Sequence, residues 1–339
     1  MMRGLVAGLL ALLCASAQAA TGLTELAGLE GDGPVTVFYP SSSEARMLKR
    51  GPFELNVAAQ GAALRGNGRL VVISHGSGGS PWVHSDLGRT LVEAGFVVAL
   101  PEHHGDNFKN PSAPGPESWK RRPAEVTRAI DAVARDARFA PLLQLDRVGM
   151  YGMSAGGHTA LSLAGGRWSQ ASFRRHCEAH IAEDFPACVG LATRLRGNWL
   201  DNFKLWSALS VIGMRFTDTN WQTYSDPRVQ AIVAGVPYAA DFDMASLAAP
   251  RMPLGVVNMG KDKWLAPRFH GEAVLKACAS CTAVAVLPGG GHGALLSPFP
   301  PKLPDAAAEL LNDPPGFDRA LLADVDRRIA DFFRRHLLP

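Results

Sequence analysis

The stretch Tyr151-Gly-Met-Ser154-Ala-Gly-Gly-His158 limits what this chain can fold into more than any other. It joins an apolar run (Leu145, Val148, Met150, Tyr151) that reads as a buried strand to an Ala/Leu-rich run (Ala160, Leu161, Leu163, Ala164) that reads as the inner face of a helix. A Gly-x-Ser-x-Gly sequence at that junction predicts a tight strand-to-helix turn with Ser154 at its apex in a strained backbone conformation. Neighbouring chain then comes so close two residues to either side that only small residues fit, and Gly152 and Gly156 supply them. A helix starting at Ala155 turns its free N–H groups toward the serine, where a negatively charged oxygen would be stabilised.

Five residues match such a pattern easily, so the flanking segments carry the argument. Leu70-Val-Val-Ile73 is a continuous run of the kind covered on both faces in a parallel sheet. Phe96-Val-Val-Ala-Leu100, stopped by Pro101, and residues 229–236, 254–258 and 283–287 read as further strands. Helical patterns over 87–94, 124–137 and 269–277, and from Phe317 onward, alternate with them. Pro34-Val-Thr-Val-Phe-Tyr39 alternates like an edge strand, residues 53–57 read as another short strand, and Lys120-Arg-Arg122 reads as the solvated start of a helix. The alternation predicts an α/β fold with a mostly parallel, doubly wound sheet and helices on both faces. From Gly166 to Arg228 the rhythm stops. This stretch holds four of the seven tryptophans (Trp168, Trp199, Trp206, Trp221) and a helical stripe of Leu205, Leu209, Ile212 and Phe216. It is expected to be an inserted cap, residues 166–228, in a core made of 20–165 and 229–339, its aromatics either walling an apolar pocket or packing the cap down.

Chemistry-bearing residues fall at strand ends. After Ile73 comes Ser74-His75-Gly76-Ser77-Gly78-Gly79, a glycine-rich loop whose Ser77 N–H, with that of Ala155, is expected to form a two-donor oxyanion hole. His75 is read as a loop-fixing residue. Past residue 258 stands Asp262, the expected partner of a histidine, with Asp241 and Asp243 as rivals; past residue 287, Gly289-Gly-Gly-His292-Gly293 offers His292 as general base. His158, one helical turn after Ser154, would approach from inside the helix and is assigned to packing or hydrogen bonding. Glu102-His-His-Gly-Asp-Asn107 is read as a loop flanking the site's mouth rather than a metal centre, because adjacent histidines diverge on most backbones.

Residues 1–19 carry one early positive charge at Arg3, an apolar stretch from Leu5 to Cys14 and then Ala17-Gln-Ala19, the pattern of a leader cut after Ala19. The apolar stretch is short for a bilayer, so export to the periplasm or outside is expected, without stable membrane insertion. Losing Arg3 lowers the formal charge from +3 to +2, and no Lys/Arg run suggests nucleic acid. Cys177, Cys188, Cys278 and Cys281 remain; in an exported chain their even number and proximity favour Cys177–Cys188 and Cys278–Cys281 disulfides.

The order Ser154, Asp262, His292, with the oxyanion loop upstream, is what the α/β-hydrolase architecture requires. From Tyr39-Pro40 through Ser74-His-Gly-Ser-Gly-Gly79, Gly152-Met-Ser-Ala-Gly-Gly157 and Gly291-His292, the chain resembles the predicted dienelactone hydrolases and the platelet-activating-factor acetylhydrolase-like branch of that superfamily. The cysteine-type dienelactone hydrolases carry Cys where this chain has Ser154. The expectation is a monomeric, exported serine esterase acting on a small-molecule or lipid-like ester, needing neither metal nor organic cofactor. Lipase, phospholipase or polyester hydrolase action on the same triad, or a non-catalytic binding protein of this fold, are the alternatives.

Overall fold

The computed structural model describes residues 19–339. The leader expected over residues 1–19 falls, but for its last residue, outside them. Ten strands form one sheet: β1 (Ala20–Leu26), β2 (Val35–Ser41), β3 (Arg46–Arg50), β4 (Phe53–Ala59), β5 (Leu70–Ser74), β6 (Val97–Pro101), β7 (Val148–Met153), β8 (Val229–Gly235), β9 (Leu254–Met259) and β10 (Thr282–Leu287). Their order across the sheet is β10-β9-β8-β7-β5-β6-β2-β1-β4-β3. The run from β10 to β6 is parallel throughout; β2 pairs antiparallel with β6 and with β1, and β3 with β4. The fold is α/β with a mostly parallel central sheet.

The helices follow from the strands' two apolar faces. Side chains alternate across a strand, so in β5 Leu70 and Val72 enter one core while Val71 and Ile73 enter the other. On the first face lie α2 (Pro116–Arg135), through Val126, Ile130 and Val133, and α3 (Ala155–Leu163), through Ala160 and Leu161. On the other lie α1 (Ser85–Glu93), through Leu87 and Leu91, and α9 (Leu322–Leu337), through Val325, Ile329 and Phe333. From β5 the chain crosses to β6 on one side and later to β7 on the other, so the sheet order reverses there. In open α/β sheets that reversal opens a crevice at the strands' carboxyl ends.

β2 is no edge strand: it lies between β6 and β1, and all seven of its residues are buried. Thr36, the polar residue in that alternation, is only 2% exposed, because a polar residue in a strand can be covered by a neighbour that the pattern does not reveal. β1 and β3 carry no strand pattern legible in the sequence alone. α2 begins at Pro116, not near Ala124; Pro123 sits inside it and mimics a helix start. Arg122 is therefore not at a solvated end but is wholly buried.

The 166–228 stretch holds α4 (Gln170–His180), α5 (Phe185–Val189) and α6 (Leu200–Arg215). On α6, Leu205, Leu209 and Ile212 pack onto the core with Phe216 just beyond its end, as the stripe predicts. Trp168 is buried, whereas Trp199 and Trp206 point outward, 84% and 64% exposed. Both disulfides pair as expected, Cys177–Cys188 joining α4 to α5 and Cys278–Cys281 following α7 (Gly271–Ala277). Among the described residues no helix is long and apolar enough to cross a membrane.

Candidate active site

Ser154 ends β7 and begins α3 with φ 58° and ψ −115°, a region that side-chain-bearing residues rarely adopt and that the surrounding structure must enforce. The enforcement is visible. Its N–H donates to the Gly235 carbonyl at 3.0 Å, and its own carbonyl accepts from the N–H groups of His158 at 3.0 Å and Tyr238 at 3.2 Å. A Cβ on Gly152 would overlap the Gly156 carbonyl, and one on Gly156 the Ser74 carbonyl. The two glycines are small because the chain passes there backbone to backbone.

The loop after β10 brings His292 over the serine. His292 Nε2 lies 2.9 Å from Ser154 Oγ, and Nδ1 lies 2.7 Å from Asp262 Oδ2. Both the His292 and Asp262 side chains are 2% exposed. Asp262 Oδ1 accepts the N–H groups of Trp264 and Leu265, each at 2.8 Å, which leaves Oδ2 for the imidazole. A carboxylate only accepts, so the imidazole proton sits on Nδ1 and Nε2 is free to accept from the Ser154 hydroxyl. The ends of β9 and β10 are tied together, Gly260 N–H to the Leu287 carbonyl and Lys261 N–H to the Gly290 carbonyl, both at 2.9 Å. This fixes Asp262 and His292 relative to each other. Such a chain of groups can take a proton from a hydroxyl and return it.

The rival acids are engaged elsewhere. Asp241 Oδ2 is 3.0 Å from Nε2 of His158, a fully buried pair whose imidazole stacks on Trp119, ring centres 4.7 Å apart. His158 thus packs and hydrogen-bonds inside the core, as expected. Asp243 pairs with Arg167 and caps a short turn at Met244–Leu247.

The glycine-rich loop lies against the nucleophile: a Cβ on Gly76 would stand 3.5 Å from Ser154 Cβ. Ser77 Oγ donates to Asp106 Oδ1 at 2.6 Å, and the Gly78 N–H donates to the same oxygen at 3.0 Å. Among the described residues, the backbone N–H groups of Ser77 and Ala155 donate to no other group. His75 is buried within the loop, its Nδ1 2.7 Å from the Gly76 carbonyl. Burial, reinforced by the neighbouring His103 and Arg122, holds its pKa well below the usual histidine value, so it is neutral.

The 102–107 loop packs against the His75–Gly79 loop, with His103 and Asp106 fully buried and His104 exposed. His103 Nε2 is 2.7 Å from Ser74 Oγ and Nδ1 is 2.5 Å from Glu125 Oε2, a serine–histidine–acid relay closed to solvent. Sequence reasoning also missed Trp264, whose ring centre lies 5.3 Å from that of His292; its place two residues past Asp262, in the turn the carboxylate caps, was the available signal. Among the described residues no group of three or more His, Cys, Asp or Glu is placed to hold a metal ion. A cavity of about 10 Å³ lies behind Asp262 beside Asn258 and His270, and one of about 470 Å³ lies between residues 191–196 and α8 (Asp305–Leu311). Compared with protein-family models and with curated proteins, the sequence matches none.

Proposed function

We propose that this chain is an exported serine esterase of the α/β-hydrolase type. The observation that carries the reading is the unbroken hydrogen-bonded line from Ser154 Oγ through His292 to Asp262, at 2.9 and 2.7 Å, assembled at the carboxyl ends of parallel strands. His292 takes the Ser154 proton as Oγ attacks an ester carbonyl, the N–H groups of Ser77 and Ala155 hold the resulting oxyanion, and protonated His292 gives its proton to the departing alcohol. Water then repeats the sequence on the acyl-enzyme. The chemistry calls for no cofactor. The two disulfides support an oxidising compartment, and residues 166–228 serve as a cap over the site.

Hydrolysis of p-nitrophenyl esters from acetate to palmitate by the purified protein and by Ser154→Ala tests this reading. Turnover by the native protein, with the folded variant at background, is the expected result; no turnover on any ester would remove the reading. A second reading, lipase-like action at a lipid surface, is favoured by one observation: Trp199, Phe203, Trp206 and Met214 project from one side of α6, each more than 60% exposed. Lipase action requires the rate on palmitate to rise once the ester exceeds its solubility, and an esterase of dissolved substrates shows no such rise.

A further inference from the structure

We propose that the buried Arg122–Asp106 pair, together with His75, aims the Ser77 N–H at the reacting carbonyl, making these three the positioning residues of the oxyanion hole; the inference rests on the esterase reading. The C=O of Gly76 and the N–H of Ser77 belong to the same planar trans peptide and point in opposite directions. Whatever holds the Gly76 oxygen therefore aims the Ser77 donor. That oxygen is held by Nδ1–H of His75 at 2.7 Å, the N–H of Gly79 at 3.1 Å and, at 3.5 Å, Nη2 of Arg122.

Arg122 holds the preceding peptide as well. Its Nη1 donates to the His75 carbonyl at 2.5 Å, and Nη2 also reaches the Asp106 carbonyl at 3.3 Å and Asp106 Oδ2 at 2.8 Å. Nε donates to Ser118 Oγ at 2.7 Å. The planar fork thus spends its donors on one loop and on the carboxylate that grips the loop's other end, through Ser77 Oγ and the Gly78 N–H. Both side chains are fully buried. Burial alone raises the Asp106 pKa, but Arg122 and the bonds from Ser77, Ser118 and Gly78 outweigh it and hold the carboxyl below its usual value, so the pair is charged. Replacing a buried ion pair by apolar residues is often neutral or stabilising, so stability alone is a poor reason to keep one. A fixed pair of carbonyl clamps directly behind the oxyanion donor is a better one, since removing such a donor lowers rates by about 10²–10³-fold.

Comparing an oxygen ester with its thionoester separates positioning from mere support. In the thionoester the charge develops on sulfur, which accepts N–H bonds poorly, so an aimed donor speeds the oxygen ester selectively. The variants are Arg122→Met with Asp106→Asn, which removes the pair without leaving a lone buried charge, and His75→Leu, which leaves the pair intact and answers if the double variant does not fold. His75→Asn retains a side-chain N–H near Nδ1. The expected result is a loss of about 10²-fold in kcat on the oxygen ester with KM little changed, and a fall of at least about tenfold in the oxygen-to-sulfur rate ratio, partly restored in His75→Asn. Equal losses on both esters, with the ratio unchanged, would overturn the inference and leave these residues as structural supports. Wild-type protein inactive on the oxygen ester would instead overturn the esterase reading beneath it.

Discussion

At the scale of single residues, a few atoms cannot move without consequence. Asp262 fixes the proton on Nδ1 of His292; Asp262→Asn reverses that tautomer and is expected to lower kcat by about 10³–10⁴-fold with the fold intact. Asp243→Asn, a rival acid spent on Arg167, is expected to leave esterase rates unchanged, so steady-state kinetics on the two variants decide between them. Gly152→Ala would drive a methyl into the Gly156 carbonyl; a loss of about 1–3 kcal/mol in denaturant unfolding is expected, with activity falling further as the elbow distorts. Ser154, Asp262 and His292 could be read from the sequence because glycines bracket the serine and histidine and because each stands just past a strand. Arg122 could not. In a run of three basic residues it looks solvated, and its partner Asp106 lies 16 positions upstream in a loop whose folding no local pattern reveals.

Among elements, β5, β6, β8 and β9 were legible because a strand covered on both faces reads as a short, β-branched apolar run bounded by turn residues. β1 and β3 were not: Ala-Thr-Gly-Leu-Thr-Glu-Leu and Arg-Met-Leu-Lys-Arg carry too little apolar contrast, and their pairing with β2 and β4 supplies what their own residues lack. Helix α6 was legible on its inward side, whereas the outward turn of Trp199 and Trp206 depends on how the helix is rotated against the core. The Cys177–Cys188 bridge spans 11 positions and Cys278–Cys281 only 3. Because the gain from a cross-link grows with the loop it closes, Cys177→Ser with Cys188→Ser is expected to cost about 2–3 kcal/mol, and the Cys278/Cys281 double replacement less. Thermal unfolding of the two variants under identical conditions measures the difference.

For the whole molecule, the sheet order decides everything else: placing β7 beside β5 and ending β9 and β10 at the same edge brings four distant loops to one serine. The alternation of strands and helices made this α/β arrangement legible, while the interior placement of β2 needed the antiparallel partners that only the folded chain shows. The same packing creates a pH liability. Asp326 on α9 is buried facing Asp86 of α1, and burial, then that neighbouring charge, pushes its carboxyl up to about 7. Below pH about 4 the group is protonated in both folded and unfolded chains; as pH rises toward 7 only the unfolded chain ionises freely, so stability falls across that window. Asp326→Asn is expected to stabilise the protein by about 2–4 kcal/mol at pH 8 and hardly at all at pH 4, as unfolding at the two pH values will show. The claim that these loops make a nucleophile is tested most directly by mass spectrometry of the protein after reaction with a fluorophosphonate. One adduct per chain is expected, on Ser154, absent from Ser154→Ala and slowed in His292→Ala. An unmodified Ser154, or labelling that persists in Ser154→Ala, would contradict it.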